Sequence, residues 1–187
     1  MTKTAVPLFL LLLFGFLSSS SQDIANLSQE NGIREAVFRY EFEHNASGLQ
    51  KRAYVFCISV GYPEADPTTE LLKRFHGNKP PVLKASACGY KNEIQVVEIR
   101  TGKPSLIFTA GDVRMLSSNI AQVTGGYFEG NVSSSGNTYR VENKVGKWVV
   151  TKDEMNSISE LIDLALVNSE PLVRLTTCAL YVQTKKS

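Results

Sequence analysis

The apolar and polar positions of the chain follow three successive patterns. An uninterrupted apolar run from Ala5 to Leu17 comes first, and two segments with the helical period of 3.6 residues follow it. From Val82 onward the period changes to two, which is typical of strands. Helices followed by a series of strands predict an α+β fold, in which N-terminal helices pack on a curved, mainly antiparallel, cone-like sheet.

The apolar run has the features of a secretory signal peptide. Lys3 precedes it, and the small polar stretch Ser18–Gln22 follows it. Its length of about 13 residues is too short for a membrane span, which needs roughly 20. We therefore predict that residues 1–22 are a signal peptide, cleaved within Ser19–Asp23. The protein is then secreted or periplasmic, with no membrane span after signal removal.

Two helices are predicted before the strands. Ser28 is a suitable N-cap for the first helix, which should end near Asn45–Gly48, where Gly48 can adopt the left-handed conformation of a helix C-terminus. Asp66 and Pro67 open a second, short helix, since aspartate caps a helix and proline fits its first turn. On the first helix one stripe at helical spacing contains Ile33, Val37, Tyr40 and His44, with Phe38 and Phe42 beside it. On the second helix Leu71, Leu72 and Phe75 are expected to face inward.

Short turns separate the predicted strands, and short connections favour sequential antiparallel pairing, or a meander. Residues 130–136, rich in serine and glycine, are expected to be one of the loops. An α+β domain is predicted for residues 23–152. The extension 153–187 is expected to be either a helix capped by Ser157 with an edge strand, or a loosely ordered tail. The strands are predicted at 52–60, 82–88, 94–99, 104–110, 112–117, 120–129, 137–143 and 147–151.

Three cysteines give a first structural constraint. Cys57 and Cys88 lie in two extended segments on either side of the short helix, so a disulfide between them is predicted for an exported protein. Cys178 lies in the C-terminal extension and is the odd one of the three. The alternative is that Cys57 and Cys88 are buried free thiols.

Two segments carry a resemblance to known proteins. The hairpin from Gly136 to Val150, with Trp148 in its second strand, is similar to the closing hairpin of small exported bacterial domains with a nuclear transport factor 2-like or cystatin-like fold. Arg34–Tyr40 resembles the first helix of a group of uncharacterised exported bacterial proteins. The likeness extends over about residues 30–152. It implies a cone-like sheet with Trp148 inside, and it brings no established activity.

The net charge and the possible metal-ligating side chains argue against two kinds of site, a nucleic-acid surface and a metal centre. The formal net charge is only +2, and the basic residues are scattered, whereas nucleic-acid binding requires them to cluster. Glu41 and His44 lie three residues apart near the end of the first helix, which is half of a helical-bundle metal motif. Because no matching helix appears, we interpret them as a surface pair. No metal and no cofactor are predicted.

A concave pocket is expected between the helices and the curved sheet. The alternative is that its aromatic side chains simply fill the core. The candidate lining residues are Tyr40, Tyr54, Tyr127, Glu129, Tyr139 and Trp148.

The chain shows no nucleophile motif and no acid–base pair, so the sequence favours an exported, non-catalytic module that binds a small molecule or a protein partner. The alternative is a small hydrolase or isomerase that uses a pocket carboxylate, such as Glu129, together with a tyrosine.

Overall fold

The computed structural model describes residues 18–45, 47–92, 95–130 and 133–160. The helices are α1 (Ser18–His44) and α2 (Thr69–Lys73), with a 3₁₀ turn at Ala85–Ala87. The strands are β1 (Phe56–Val60), β2 (Val82–Lys84), β3 (Cys88–Lys91), β4 (Gln95–Glu98), β5 (Leu106–Ser117), β6 (Ile120–Gly130), β7 (Ser133–Lys144) and β8 (Lys147–Glu160). None of the described helices is long and apolar enough to cross a membrane.

The eight strands form one curled sheet that does not close, and α1 packs against it, which confirms the predicted α+β class. Strands β5 to β8 form the predicted antiparallel meander. The meander does not extend to β1, which pairs in parallel with both β2 and β5. Strand β6 also pairs with β4 at Gly130, so that the β3–β4 hairpin adjoins the meander.

Ile33 and Val37 are buried as the helical period predicts, whereas His44 of the same stripe is exposed. The helix ends at His44, beside the predicted end at Asn45–Gly48, but it begins before the predicted N-cap. Ser28 is an exposed residue within α1, because residues 18–27 contain no glycine or proline to stop the helix. At the other end, the side chain of Asn45 donates to the Glu41 carbonyl at 2.7 Å. This bond satisfies one of the last free carbonyls of the helix, a role expected of Gly48. Residues 1–17, which include the predicted apolar leader, lie outside the described residues.

Two cores lie on the two faces of the sheet. On the helix face, α1 and α2 pack against alternate side chains of β1, β5, β6 and β7, and the half-buried Trp148 packs against this core, as expected. The largest fully buried apolar side chains are Phe38, Phe108, Ile33, Ile58, Leu71 and Leu106. On the hairpin face, a smaller cluster contains Val55, Cys57, Cys88 and Val96.

The predicted disulfide is confirmed. Cys57 and Cys88 are bonded, with a Cα–Cα distance of 6.2 Å and a sequence separation of 31 residues. The bond joins β1 to the first residue of β3, and it therefore fixes the β3–β4 hairpin over the sheet. Cys178 lies outside the described residues.

Several predicted loops and strand boundaries were wrong, mainly because hydrogen bonds to neighbouring strands extend or interrupt the strands. The expected break between residues 110 and 112 is a bulge inside β5. Ser133 to Gly136 form the start of β7, because β6 on one side and β8 on the other supply hydrogen-bond partners. The predicted strand 82–88 contains the 3₁₀ turn, and the predicted strand 52–60 begins only at Phe56.

The short helix and the C-terminal segment also differ from expectation. Thr68 caps α2, and its hydroxyl accepts from the Leu71 amide. Asp66 instead accepts two hydrogen bonds from Ser86 and so ties the loop before α2 to the 3₁₀ turn. Ser157 lies in β8, paired with Gly136, and does not cap a helix. Residues 161–187 lie outside the described residues.

Candidate functional site

The six side chains expected to line one pocket lie in different parts of the molecule. Only Tyr40 and Tyr139 are in ring contact, with a centroid distance of 5.8 Å. The Tyr127 hydroxyl lies 2.9 Å from Ser133 Oγ, and Tyr127 itself is buried. Tyr54 is on the surface, where the Lys103 ammonium lies 4.0 Å from its ring centroid.

Trp148 lies along the middle of α1. A Cβ placed on Gly32 would be 3.2 Å from Trp148 Cδ1, so the indole lies directly on the helix backbone at this glycine. Trp148 therefore acts as a contact between β8 and α1. Its position agrees with the core-filling alternative more than with a pocket wall.

Glu129 is buried and bound. The Ser47 hydroxyl donates to its carboxylate at 2.5 Å, and the same hydroxyl accepts from the Leu49 amide at 3.0 Å. These bonds join the loop after α1 to the end of β6. The geometry gives Glu129 a structural role in holding this loop.

Glu41 is the buried carboxyl that the sequence interpretation missed. It is 2% exposed and lies over Gly125 of β6, where an added Cβ would be 3.1 Å from Glu41 Oε1. It continues the buried series Ile33, Val37 at intervals of four residues, and this spacing could have identified it as inward-facing. His44 is exposed and stacks on Tyr40 instead, at 4.3 Å between ring centroids. The expected surface pair of Glu41 and His44 is therefore wrong.

Desolvation governs the protonation of Glu41. Burial raises the pKa of this carboxyl well above its ordinary value of 4.5, and the charge of Asp153 acts in the same direction. The Tyr139 hydroxyl and the Gly126 amide favour the ionised form, but neither makes a hydrogen bond of normal geometry to the carboxyl oxygens. Glu41 therefore releases its proton at a higher pH than an ordinary glutamate does.

Polar groups on β7 and β8 surround this acid. Asn137 donates to Asp153 at 2.6 Å, while its own Oδ1 is buried without a hydrogen-bond partner. Burial, followed by the charges of Glu41 and Asp153, raises the pKa of the Tyr139 hydroxyl. The cluster can hold a proton, but the grooves described below are lined by other residues.

A large groove lies at the C-terminal end of α1, and we call it the basic groove. Its volume is about 700 Å³, and it is bounded by the last turns of α1, residues 50–53 and residues 78–80. The side chain of Gln50 donates to the Phe42 carbonyl, and that of Asn78 donates to the Pro80 carbonyl at 2.8 Å. These two bonds fix the walls. Apolar lining comes from Phe42, Ala53, Phe56 and Pro80.

Cations dominate the charge of the basic groove. Arg39 is already engaged, since it pairs with Glu35 at 2.9 Å and donates to the Arg74 carbonyl at 2.7 Å. Lys51 and Lys79 are exposed, and neither forms an ion pair with the described part of the chain. Glu43 is the one acidic lining residue described there. The groove therefore presents two unpaired ammonium groups beside an apolar surface.

Comparison with known proteins finds no match, whether to a protein family, to a curated protein or to a solved structure. The resemblance to nuclear transport factor 2-like and cystatin-like domains thus stays a prediction. Among the described residues, no group of three or more His, Cys, Asp or Glu side chains is placed to hold a metal ion.

Proposed function

We propose that the protein is an exported, non-catalytic module that binds a small anionic molecule with an apolar body in the basic groove. The observation that carries the proposal is the combination of Lys51 and Lys79, both without ion pairs among the described residues, with an apolar surface in one large cavity. A volume of about 700 Å³ falls within the range of about 300–1,000 Å³ typical of small-molecule sites. Export is supported by the apolar leader and by the Cys57–Cys88 disulfide.

Each part of the groove fits a different part of such a ligand. Phe42 and Phe56 are in ring contact at 4.9 Å and form the buried floor of the groove. Ala53 and Pro80 are partly exposed and offer apolar contacts for the apolar body. Lys51 and Lys79 attract the anionic group, and the concave shape concentrates their field. Because both ammonium groups are exposed, the attraction should weaken as ionic strength rises.

The non-catalytic part of the proposal rests on the positions of Glu129 and Glu41, because the described lining of the groove itself offers a single carboxyl group, that of Glu43. Catalysis usually requires two poised groups beside the reacting atoms. Glu129 is bound by Ser47, and Glu41 lies beneath α1 and outside the lining of the basic groove. Neither carboxyl reaches a ligand bound there.

Fluorescence titration of residues 23–187 tests the proposal. The probe is 1-anilinonaphthalene-8-sulfonate, which carries an anionic group on an apolar body, and N-phenyl-1-naphthylamine is its uncharged counterpart. We expect the anionic probe to bind more tightly than the neutral one. Replacing both Lys51 and Lys79 by glutamine should weaken the anionic probe about tenfold, equivalent to about 1.4 kcal/mol.

Controls separate the groove from the rest of the surface. The double variant Lys144→Gln and Lys147→Gln changes the charge equally at the β7–β8 turn and should leave binding unchanged. Ala53→Leu should reduce the binding of both probes, because it fills the groove. Equal affinity of wild type and the Lys51/Lys79 variant, with unchanged circular dichroism, would contradict the proposal.

An enzyme is the second candidate, because burial raises the pKa of the Glu41 carboxyl, which lies beside Tyr139, and a raised carboxyl pKa is typical of acid–base sites. We propose screening the same protein against generic esters, phosphoesters, peptides and glycosides. Turnover that disappears in Glu41→Gln or Glu129→Gln would make the hydrolase or isomerase the better interpretation. No turnover in the wild type is the result expected of a binding module.

A further inference from the structure

A second groove lies on the hairpin face of the sheet, opposite α1, and we call it the hydroxyl groove. It has a volume of about 370 Å³ between residues 61–64, β5, β6 and β7. Ile107 of β5 lies under the β3–β4 hairpin, and Thr109 follows two residues later on the same side of the strand. In the same way Ser59 follows Cys57 in β1. The groove is thus the part of this face that the hairpin leaves uncovered.

Two glycines allow the strands that border the hydroxyl groove to lie close together. A Cβ on Gly111 would lie 2.8 Å from Thr124 Oγ1, and one on Gly126 would lie 1.9 Å from the Ser135 carbonyl oxygen. Gly126 also has a φ of 153°, which side chains rarely allow. A side chain at either position would collide with the neighbouring strand, so both glycines are required for the strand packing that forms the groove wall.

The groove is rich in hydrogen-bonding oxygens. Ser59 Oγ lies 2.8 Å from Thr109 Oγ1, and the Glu64 carboxylate is 3.5 Å from each of these hydroxyls. Such long contacts leave most of the accepting capacity of Glu64 available. Asp112 accepts from the Tyr62 amide at 3.2 Å through one oxygen. No lysine or arginine is among the described lining residues.

An aromatic side chain stands at the rim. Tyr62 is 86% exposed, a large fraction for a ring of this size, and it lies on the loop between β1 and α2. The amide of the same residue is bonded to Asp112, so the loop is tied to the groove wall. A tyrosine in this position offers an apolar ring face beside oxygen acceptors.

We infer that the hydroxyl groove is a second binding site, for a neutral saccharide. Sugar hydroxyls can donate to Glu64 and Asp112 and exchange hydrogen bonds with the Thr109 and Thr124 hydroxyls, while the flat carbon side of the ring covers Tyr62. The volume of the hydroxyl groove is at the lower end of the range for small-molecule sites, which suits a short oligosaccharide. This site does not depend on the basic groove, which lies on the other side of the sheet and carries the opposite charge.

The test is calorimetric titration of residues 23–187 with maltotriose, cellotriose and chitotriose, one at a time. We expect at least one of these to bind, with an affinity that does not change between 50 and 500 mM salt because the ligand is neutral. Tyr62→Ala and Glu64→Gln should each lower the affinity at least tenfold. Both residues are exposed, so the thermal midpoint should remain unchanged.

Matched variants distinguish the two sites. Tyr54→Ala removes another surface tyrosine and should leave saccharide binding intact, as should the double glutamine variant of Lys51 and Lys79. The inference is overturned if none of the three sugars binds, or if binding survives both Tyr62→Ala and Glu64→Gln. It is also overturned if tetramethylammonium binds the groove in place of the sugars, since that result would assign it to cations.

Discussion

The two faces of the sheet reach their stability by different means. The helix face is an extended apolar core, where the rings of Phe42, Phe56 and Phe108 lie 4.9 to 5.1 Å apart in mutual contact. The hairpin face has a core of four buried residues and a disulfide through its centre. A face with little apolar area to bury is held by a covalent bond, because the hydrophobic contribution grows with the area removed from water.

The difference extends to the polar residues. The helix face buries Glu41 without a hydrogen bond, since surrounding apolar contacts outweigh the cost of one unpaired acid. On the hairpin face, Glu64 and Asp112 lie at an open groove, where solvent and ligands can contact them. Glu98 of the hairpin is buried, but Arg100 pairs with it at 3.3 Å and Thr101 donates to it, so this carboxylate has the partners that Glu41 lacks.

The largest effect is expected from the aromatic core. Phe108→Ala should lower the free energy of unfolding by about 3–5 kcal/mol, because the ring is fully buried and its removal leaves a cavity. Urea denaturation of residues 23–187 measures the change. Ile107→Ala, one residue away on the hairpin face, is the control and should cost less, as Ile107 is only partly buried. Equal losses would contradict the difference between the faces.

The second-largest effect on stability is expected from the disulfide between Cys57 and Cys88. Replacing Cys57 and Cys88 by alanine should lower the free energy of unfolding by roughly 3–4 kcal/mol, because the bond closes a loop of 31 residues in the unfolded chain. Cys178→Ala is the control, with no change expected. A wild-type protein whose urea midpoint does not move on addition of a reducing agent would show that the hairpin face needs no cross-link.

Replacement of Glu41 is expected to have a smaller effect, and it should raise the free energy of unfolding. The unfolded chain loses the Glu41 proton near pH 4.5, whereas the folded protein keeps it to higher pH because burial raises the pKa. Stability therefore falls as the pH rises from about 4.5 toward the folded-state pKa. Glu41→Gln should remove this fall and, at pH 8, raise the free energy of unfolding by about 1–3 kcal/mol.

Denaturation curves of the wild type and Glu41→Gln between pH 4 and 8 measure this effect. Glu129→Gln is the matched control, because Glu129 accepts a hydrogen bond from Ser47 and its substitution should give no gain in stability. If Glu41→Gln is less stable than the wild type at pH 8, Glu41 is an ionised residue with partners, and the comparison of the two faces fails in this respect.

Local patterns predicted the parts of the fold that depend on neighbouring residues. The helical spacing identified Ile33 and Val37 as buried, and the strand period located most of the strands. The extended segments around Cys57 and Cys88 predicted their bond. Glu41 has the same four-residue spacing from Val37, which predicts a buried position. It was interpreted as a surface residue because carboxyl groups normally lie on the surface.

The sequence by itself determined the apolar run from Ala5 to Leu17, the general order of helices and strands, and which cysteines could pair, because these depend on residue type and spacing along a short segment. Tertiary structure alone decided that β1 pairs in parallel with β5, that Ser133 to Gly136 belong to a strand, and that Glu41 is buried. Both grooves are also of this kind, since each is bounded by segments far apart in the chain. Their positions follow from hydrogen bonds between distant strands, and no local pattern encodes those bonds.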